Sequence, residues 1–343
     1  MDVIGYALAK KLYISGDSWN SKASMPTVRV GVGVSYANNK VYVFGGEDYY
    51  SSVNLTKNEE YNPSTNTWAS KASMLYARES PAAATIGNKI YVIAGYVVNT
   101  GFVNYNEEYD TSTNTWTTKA SSPLGGQYIS ITEIESIKKL YISDYSYFYS
   151  YDPTTNTWAS VSSVPYSAYG KALATYNDKI YCFSGSSGTA LYYYNYEYDY
   201  STNTWTSKAA IPTMRYYAFA EAIYGNVTGI CVIGGYNSDG ALFINEIYNP
   251  LSNSWTSGSS FPVTVSKNMG SDSTMVGNKI YIISKSNDPT MNQEYNPKFI
   301  ANINTLKSYF TKPVERAMVL NLKIVSSEIK GLKSLLAYLI TKN

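Results

Sequence analysis

A chain of 343 residues with 44% apolar and 15% charged residues and a net charge of +2 has room for two ordinary domains and is too apolar to stay disordered. It contains no histidine. Ser-His-Asp and Cys-His catalysis and His-ligated zinc or copper are excluded outright, and the low charge argues against nucleic-acid binding.

In chain order, the start (Met1 to Lys10) lacks the basic n-region and long apolar core of a signal peptide, and no run reaches transmembrane length. Lys10-Lys-Leu-Tyr-Ile-Ser15 repeats Lys138-Lys-Leu-Tyr-Ile-Ser143 verbatim and reads as the remnant of a deleted unit. From Trp19 onward the chain is a repeat array. The word Thr-Asn-Thr-Trp occurs at residues 65–68, 113–116, 155–158 and 202–205, with the variant Leu251-Ser-Asn-Ser-Trp255, and successive tryptophans (Trp19, Trp68, Trp116, Trp158, Trp205, Trp255) are 49, 48, 42, 47 and 50 residues apart. A period near ~50 belongs to β-propeller blades.

Each unit has four parts, called a to d in chain order. A small-residue stretch such as Arg29-Val-Gly-Val-Gly-Val34 precedes an unbroken apolar run, Val41–Phe44, with counterparts at Ile90–Ile93, Ile180–Phe183, Ile230–Ile233 and Ile280–Ile283. Apolarity on both faces predicts a strand covered on both faces, as stacked blades require. A Glu-Tyr-Asn/Asp strand and the tryptophan strand follow, joined by polar turns such as Asn62-Pro63-Ser64-Thr65. The Gly doublet after strand b is intact at Gly45-Gly46 and Gly234-Gly235, weakened at Ala94-Gly95 and Ser184-Gly185, and lost at Ser143-Asp144 and Ser284-Lys285. Unit three is cropped between Tyr141 and Tyr151, which predicts a short b–c loop.

The Gly doublet, Tyr and Trp in this order resemble the kelch-repeat propellers over roughly residues 12–297. The expected fold is all-β: a six-bladed kelch-type β-propeller, with blade six completed by the strand at 17–25, because the last unit ends at Asn296-Pro297 without its tryptophan strand. Residues 1–297 then form one propeller domain and 298–343 a basic, partly amphipathic helical C-terminal extension, carrying a heptad-like stripe from Met318 to Leu339. This tail is expected to fold back on the propeller, with oligomerisation or membrane contact as the alternatives.

Antiparallel blades put the b–c and d–a loops on one face, where the sequence varies, and the near-identical c–d turns on the other. Arg29, Arg78 and Arg215 stand at the start of strand a, with Lys171 and Lys267 nearby in two other units, and Tyr49, Tyr50, Phe102 and Tyr236 lie in the b–c loops. In the family, arginines at this position grip acidic peptide side chains, so the resemblance implies a ligand-binding rim made of these five cations. The alternative is that the arginines satisfy loop carbonyls or pair with Glu47, Asp48 and Glu79. Glu59, Glu107 and Glu246 recur between blades as candidate acids, but recurrence is the mark of a structural device.

Cys182 and Cys231 sit one residue out of step on neighbouring blades, so alternation points them apart and no disulfide is expected. Free thiols agree with a reducing compartment, and a cytoplasmic location is expected. The functional expectation is a protein-protein interaction or scaffold module whose partner is a protein or acidic peptide, without catalytic residue, cofactor or metal. The alternative, implied by kelch-like sugar epimerases, is a carbohydrate-binding or sugar-isomerising, mutarotase-like propeller with a glycan in its funnel. Clustered Arg and Glu in a deep, enclosed funnel would favour the latter; a shallow, basic, loop-walled face would favour peptide binding.

Overall fold

A computed structural model describes residues 17–224, 228–262, 272–284 and 288–297. The hexapeptide at 10–15, Lys267 and the tail from residue 298 lie outside them.

The described residues form six four-stranded antiparallel sheets. Blade 1 comprises Gly33–Ala37, Lys40–Phe44, Asn58–Asn62 and Thr67–Ser70, and blade 2 comprises Ala82–Ile86, Lys89–Ile93, Asn106–Asp110 and Thr115–Thr118. Blades 3 and 4 repeat the plan from Ser130–Ile134 to Thr157–Ser160 and from Ala172–Tyr176 to Thr204–Ser207, and blade 5 runs from Phe219–Ile223 to Ser254–Gly258. Blade 6 holds Asp272–Val276, Lys279–Ile283 and Asn292–Asn296, and its fourth strand is Ser18–Ser21, paired antiparallel so that Trp19 opposes Tyr295. Contacts between the a strands of successive blades set them around a central channel.

The recurrent word is explained by one joint. In each of Asn66, Asn114, Asn156, Asn203 and Asn253 the side-chain oxygen accepts from the tyrosine hydroxyl of its own blade (Tyr61, Tyr109, Tyr151, Tyr198, Tyr248) at 2.7–2.8 Å. The same oxygen accepts a backbone N–H from the preceding blade at 2.8–2.9 Å. These residues have φ between +49° and +58°, a left-handed conformation Asn tolerates well. Two residues on, each tryptophan Nε1–H donates to a carbonyl of the preceding blade, as in Trp116 to Ala72 at 2.7 Å and Trp205 to Ser162 at 2.8 Å. Blade 6 uses Asp17 in place of Asn: its Oδ1 takes Tyr295 Oη at 2.9 Å and Ser259 N at 2.6 Å, while Trp19 donates to the Ser259 carbonyl. Recurrence of the word from unit to unit thus repeats one set of hydrogen bonds at every blade junction.

Between blades the core is Tyr, Val, Ile and Phe from strands b and c. Tyr61, Tyr109, Tyr151, Tyr198, Tyr248 and Tyr295 are at most 1% exposed, and each ring lies beside its own tryptophan at 4.7–5.1 Å. This accounts for the aromatic wealth: edge and tilted ring packing, with each hydroxyl bonded. Cys182 and Cys231 are buried free thiols.

The doublet's departures also have a reason. The second glycine cannot be replaced where φ is +93° to +116° and a Cβ on Gly46, Gly95 or Gly185 would meet backbone or side-chain atoms at about 3 Å or less. The first position needs only φ near +57° to +64°, which Ala94, Ser184 and Ser284 adopt. Both serines bond the carbonyl of an arginine in the next blade, Ser284 Oγ to Arg29 O at 2.6 Å and Ser184 Oγ to Arg215 O. Blade 3 has the shortest connection, with Asp144 paired to Tyr147 across a two-residue turn.

Candidate functional site

The loop face is built by b–c and d–a segments that pair with one another. Arg29-Val30 pairs with Glu47-Asp48, Glu79 with Tyr96, Tyr169 with Ser186, and Tyr216 with Tyr236. These short ladders hold the loops to a fixed frame.

The expected cationic rim is not on this face. Arg29, Arg78 and Arg215 are 0% exposed: the chain turns so that each side chain enters its own blade and meets strand c. Arg29 pairs with Glu59, Arg78 with Glu107 and Arg215 with Glu246, while Arg29 Nη2 and Arg78 Nη2 also donate to the carbonyls of Val43 at 3.1 Å and Val92 at 2.9 Å. Carbonyl capping was the right alternative; Glu47, Asp48 and Glu79 were the wrong acids. A guanidinium excluded from water must be neutralised and bonded where it sits, and the candidate acids Glu59, Glu107 and Glu246 do this. Burial lowers the pKa of all three arginines, that of Arg215 to about 10, against the opposing pull of the glutamates.

Lys171 is also a correction. It is 1% exposed, and its Nζ donates to the carbonyls of Tyr145 and Ala168, so it ties the blade 3 turn to blade 4. The loop aromatics do lie on the face: Tyr50 is 80% exposed, Phe102 66% and Tyr49 44%, whereas Tyr236 is half-buried against Tyr216.

Ten of the fourteen exposed large apolar side chains among the described residues belong to b–c or d–a segments, the exceptions being Tyr36, Tyr147, Tyr224 and Leu251. Besides the loop aromatics these include Leu75, Tyr145, Tyr193, Met214 and Phe243. No motif announces them, since each loop is different; the signal was a large apolar residue inside a segment otherwise rich in Ser, Asn and Gly.

The central channel contains a cavity of about 460 Å3 lined by the a strands. Among the described residues its wall carries Glu133, Glu135, Asp178, Glu221 and Asp272, and no lysine or arginine. Several of these side chains tie the blades together: Ser273 Oγ donates to Glu221 at 2.7 Å and Val34 N to Asp272 at 2.9 Å. Burial, and then Glu135, raises the pKa of Glu133 to about 7. Near the loop mouth, burial and then Glu47 raise that of Glu79 to about 6. Among the described residues no cluster of three or more Asp, Glu or Cys is arranged to hold a metal ion.

Residues 29–75, 77–123 and 167–210 each match the Kelch motif. No curated protein matches the chain. The solved structure of YjhT superposes with a TM-score of 0.67 over 82% of this chain and 99% of that one, at 15% identity, a likeness of fold. Matches extend to 842 solved chains, so the architecture by itself selects no activity.

Proposed function

The chain is a kelch-repeat β-propeller, and from that premise we propose that it is a protein-interaction module whose docking surface is the b–c/d–a loop face. The observation that carries this reading is the gathering of exposed large apolar side chains on that face, around Tyr50, Phe102 and Phe243. Exposed aromatic residues on a rigid frame bury large area at small entropic cost, which is how interface hot spots are built. The partner surface would be apolar rather than acidic, because the three guanidiniums are already neutralised by Glu59, Glu107 and Glu246.

The mutarotase-like alternative called for arginine and glutamate clustered in the funnel. Among the described residues Glu133 and Glu221 line the channel but no guanidinium does, so the protein-binding reading is preferred.

The test compares partners cross-linked to the full chain with those cross-linked to Tyr50→Ser/Phe102→Ser/Phe243→Ser and to Leu251→Ser, which alters a c–d turn. The reading expects a partner that survives Leu251→Ser and disappears in the triple variant. The same partners in all three samples would reject it.

A further inference from the structure

Two of the exposed tyrosines away from the loop face, Tyr36 (37%) and Tyr224 (43%), lie where strand a gives way to the a–b turn, and both line the channel cavity of about 460 Å3. They mark its second mouth. Tyr224 is held in place: its ring stacks on Tyr176 at 5.3 Å and 6°, and its backbone N–H donates to Asn278 Oδ1 at 3.0 Å. Tyr36 of blade 1 faces carboxylates of blades 3 and 5, since Glu133 foremost, then burial, Glu135 and Glu221, push its hydroxyl pKa well above the usual value. The aromatic and acidic groups therefore share one space.

The acids are strung along the channel rather than gathered at a point. Asp272 opens its inner strand, Glu221 is third in its strand, Glu133 is fourth, and Glu135 and Asp178 follow in the a–b turns. At about 3.3 Å of rise per residue they cover roughly 10–15 Å of its length. Small or apolar side chains such as Val34, Ile131 and Ala220 fill the wall between them. Part of this charge serves the fold, because Val34 N donates to Asp272, Ser273 Oγ to Glu221, and Lys138 pairs with Glu135. Glu133 is different. Its side chain accepts from no other described residue, it faces the cavity, and burial raises its pKa to about 7. A carboxyl group closed in by protein and left without a donor is costly, and a cation arriving through the channel would remove that cost.

We propose that the channel binds a linear aliphatic polyamine, which enters by the Tyr36 and Tyr224 mouth. Ammonium groups spaced by methylenes match carboxylates spaced by apolar wall: one ammonium meets Glu133, the next Glu221, and the chain between them lies along Ile131 and Ala220. The faces of Tyr36 and Tyr224 receive the trailing ammonium by cation–π attraction. A metal ion fits worse, since it needs convergent ligands and no described cluster of three acids is so arranged. Anions are repelled by every charged group on the described wall. The site lies inside the channel and not on the docking loops, so it stands or falls apart from the proposed interaction surface.

Isothermal titration of the full chain with spermidine at physiological salt tests it. Saturable binding at one site is expected, with butylamine, which offers a single ammonium, about tenfold weaker or worse. Glu133→Gln and Tyr36→Ala, each confirmed folded by its melting curve, should each weaken spermidine about tenfold. Asp239→Asn removes the same charge from the loop face and should leave the affinity unchanged. Absence of saturable binding, parent-like affinity in folded Glu133→Gln, an equal loss in Asp239→Asn, or displacement of spermidine by equimolar magnesium would overturn the proposal.

Discussion

Blades 1, 2 and 5 differ from blades 3 and 4 at one pair of positions. The former place Arg29, Arg78 and Arg215 against Glu59, Glu107 and Glu246; the latter have Gly126 and Ala168 against Tyr149 and Tyr196. The two residues change together. In blade 4 the vacated volume is taken by Tyr166, which is 8% exposed, packs on Tyr194 and Tyr196, and donates to the Ser184 carbonyl at 2.8 Å. One packing problem, filling the junction between the loop and the inner strand, thus has a charged and an aromatic solution. That co-variation within a single chain marks the arginines as scaffold, since a ligand-facing arginine would have no need of a matched glutamate.

The largest effect should come from breaking a charged junction. Arg78→Ala leaves the Glu107 carboxylate buried without its cation and is expected to cost about 3–5 kcal/mol by urea unfolding. Ala168→Gly, at the equivalent site of blade 4, should cost only about 0.5–1 kcal/mol. Similar losses at both sites would erase the distinction between the two classes of blade. A smaller effect is expected when the pair is replaced whole: Arg78→Met with Glu107→Leu should recover most of the Arg78→Ala loss, because well-packed apolar groups substitute for a buried ion pair at little cost. If the double variant is less stable than Arg78→Ala, the charge has a role beyond filling the junction.

Tyr166→Phe probes the aromatic solution. It removes one buried hydroxyl and should cost about 0.5–1.5 kcal/mol, less than any arginine removal. The last test concerns pH. Glu133 has its folded pKa raised from 4.5 to about 7, so the fold binds this proton more tightly than the unfolded chain does. Its favourable contribution is complete below pH 4.5 and disappears as pH rises through about 7. The melting temperature of the parent should fall across that interval, and Glu133→Gln should make the fall shallower. Parallel profiles for the two proteins would show that Glu133 does not titrate in this window.

The repeat joint was legible in the sequence because every blade solves it with the same Asn, Tyr and Trp. Asp17-Ser18-Trp19 was its least obvious form, since the asparagine is replaced by an acid that accepts the same two hydrogen bonds. The rim was misread for a physical reason. An arginine beside a loop looks solvent-facing in one dimension, and its destination depends on strand c, about thirty residues later, where Glu59, Glu107 and Glu246 wait. Alternation of Arg with Glu against Gly or Ala with Tyr was present in the sequence as a signal. The ring contact of Tyr169 with Tyr216 left no such trace, because the two residues belong to different blades.

The central claim, that the three propeller arginines are sealed inside their blades, is open to direct measurement. Native protein would be treated with p-hydroxyphenylglyoxal, which modifies accessible guanidinium groups, and the extent of reaction at each arginine read by peptide mass spectrometry beside a urea-unfolded control. The account predicts that Arg29, Arg78 and Arg215 stay unmodified in the native protein and react fully once unfolded. Native modification of these residues at the unfolded rate would contradict it and return them to the surface as a binding rim.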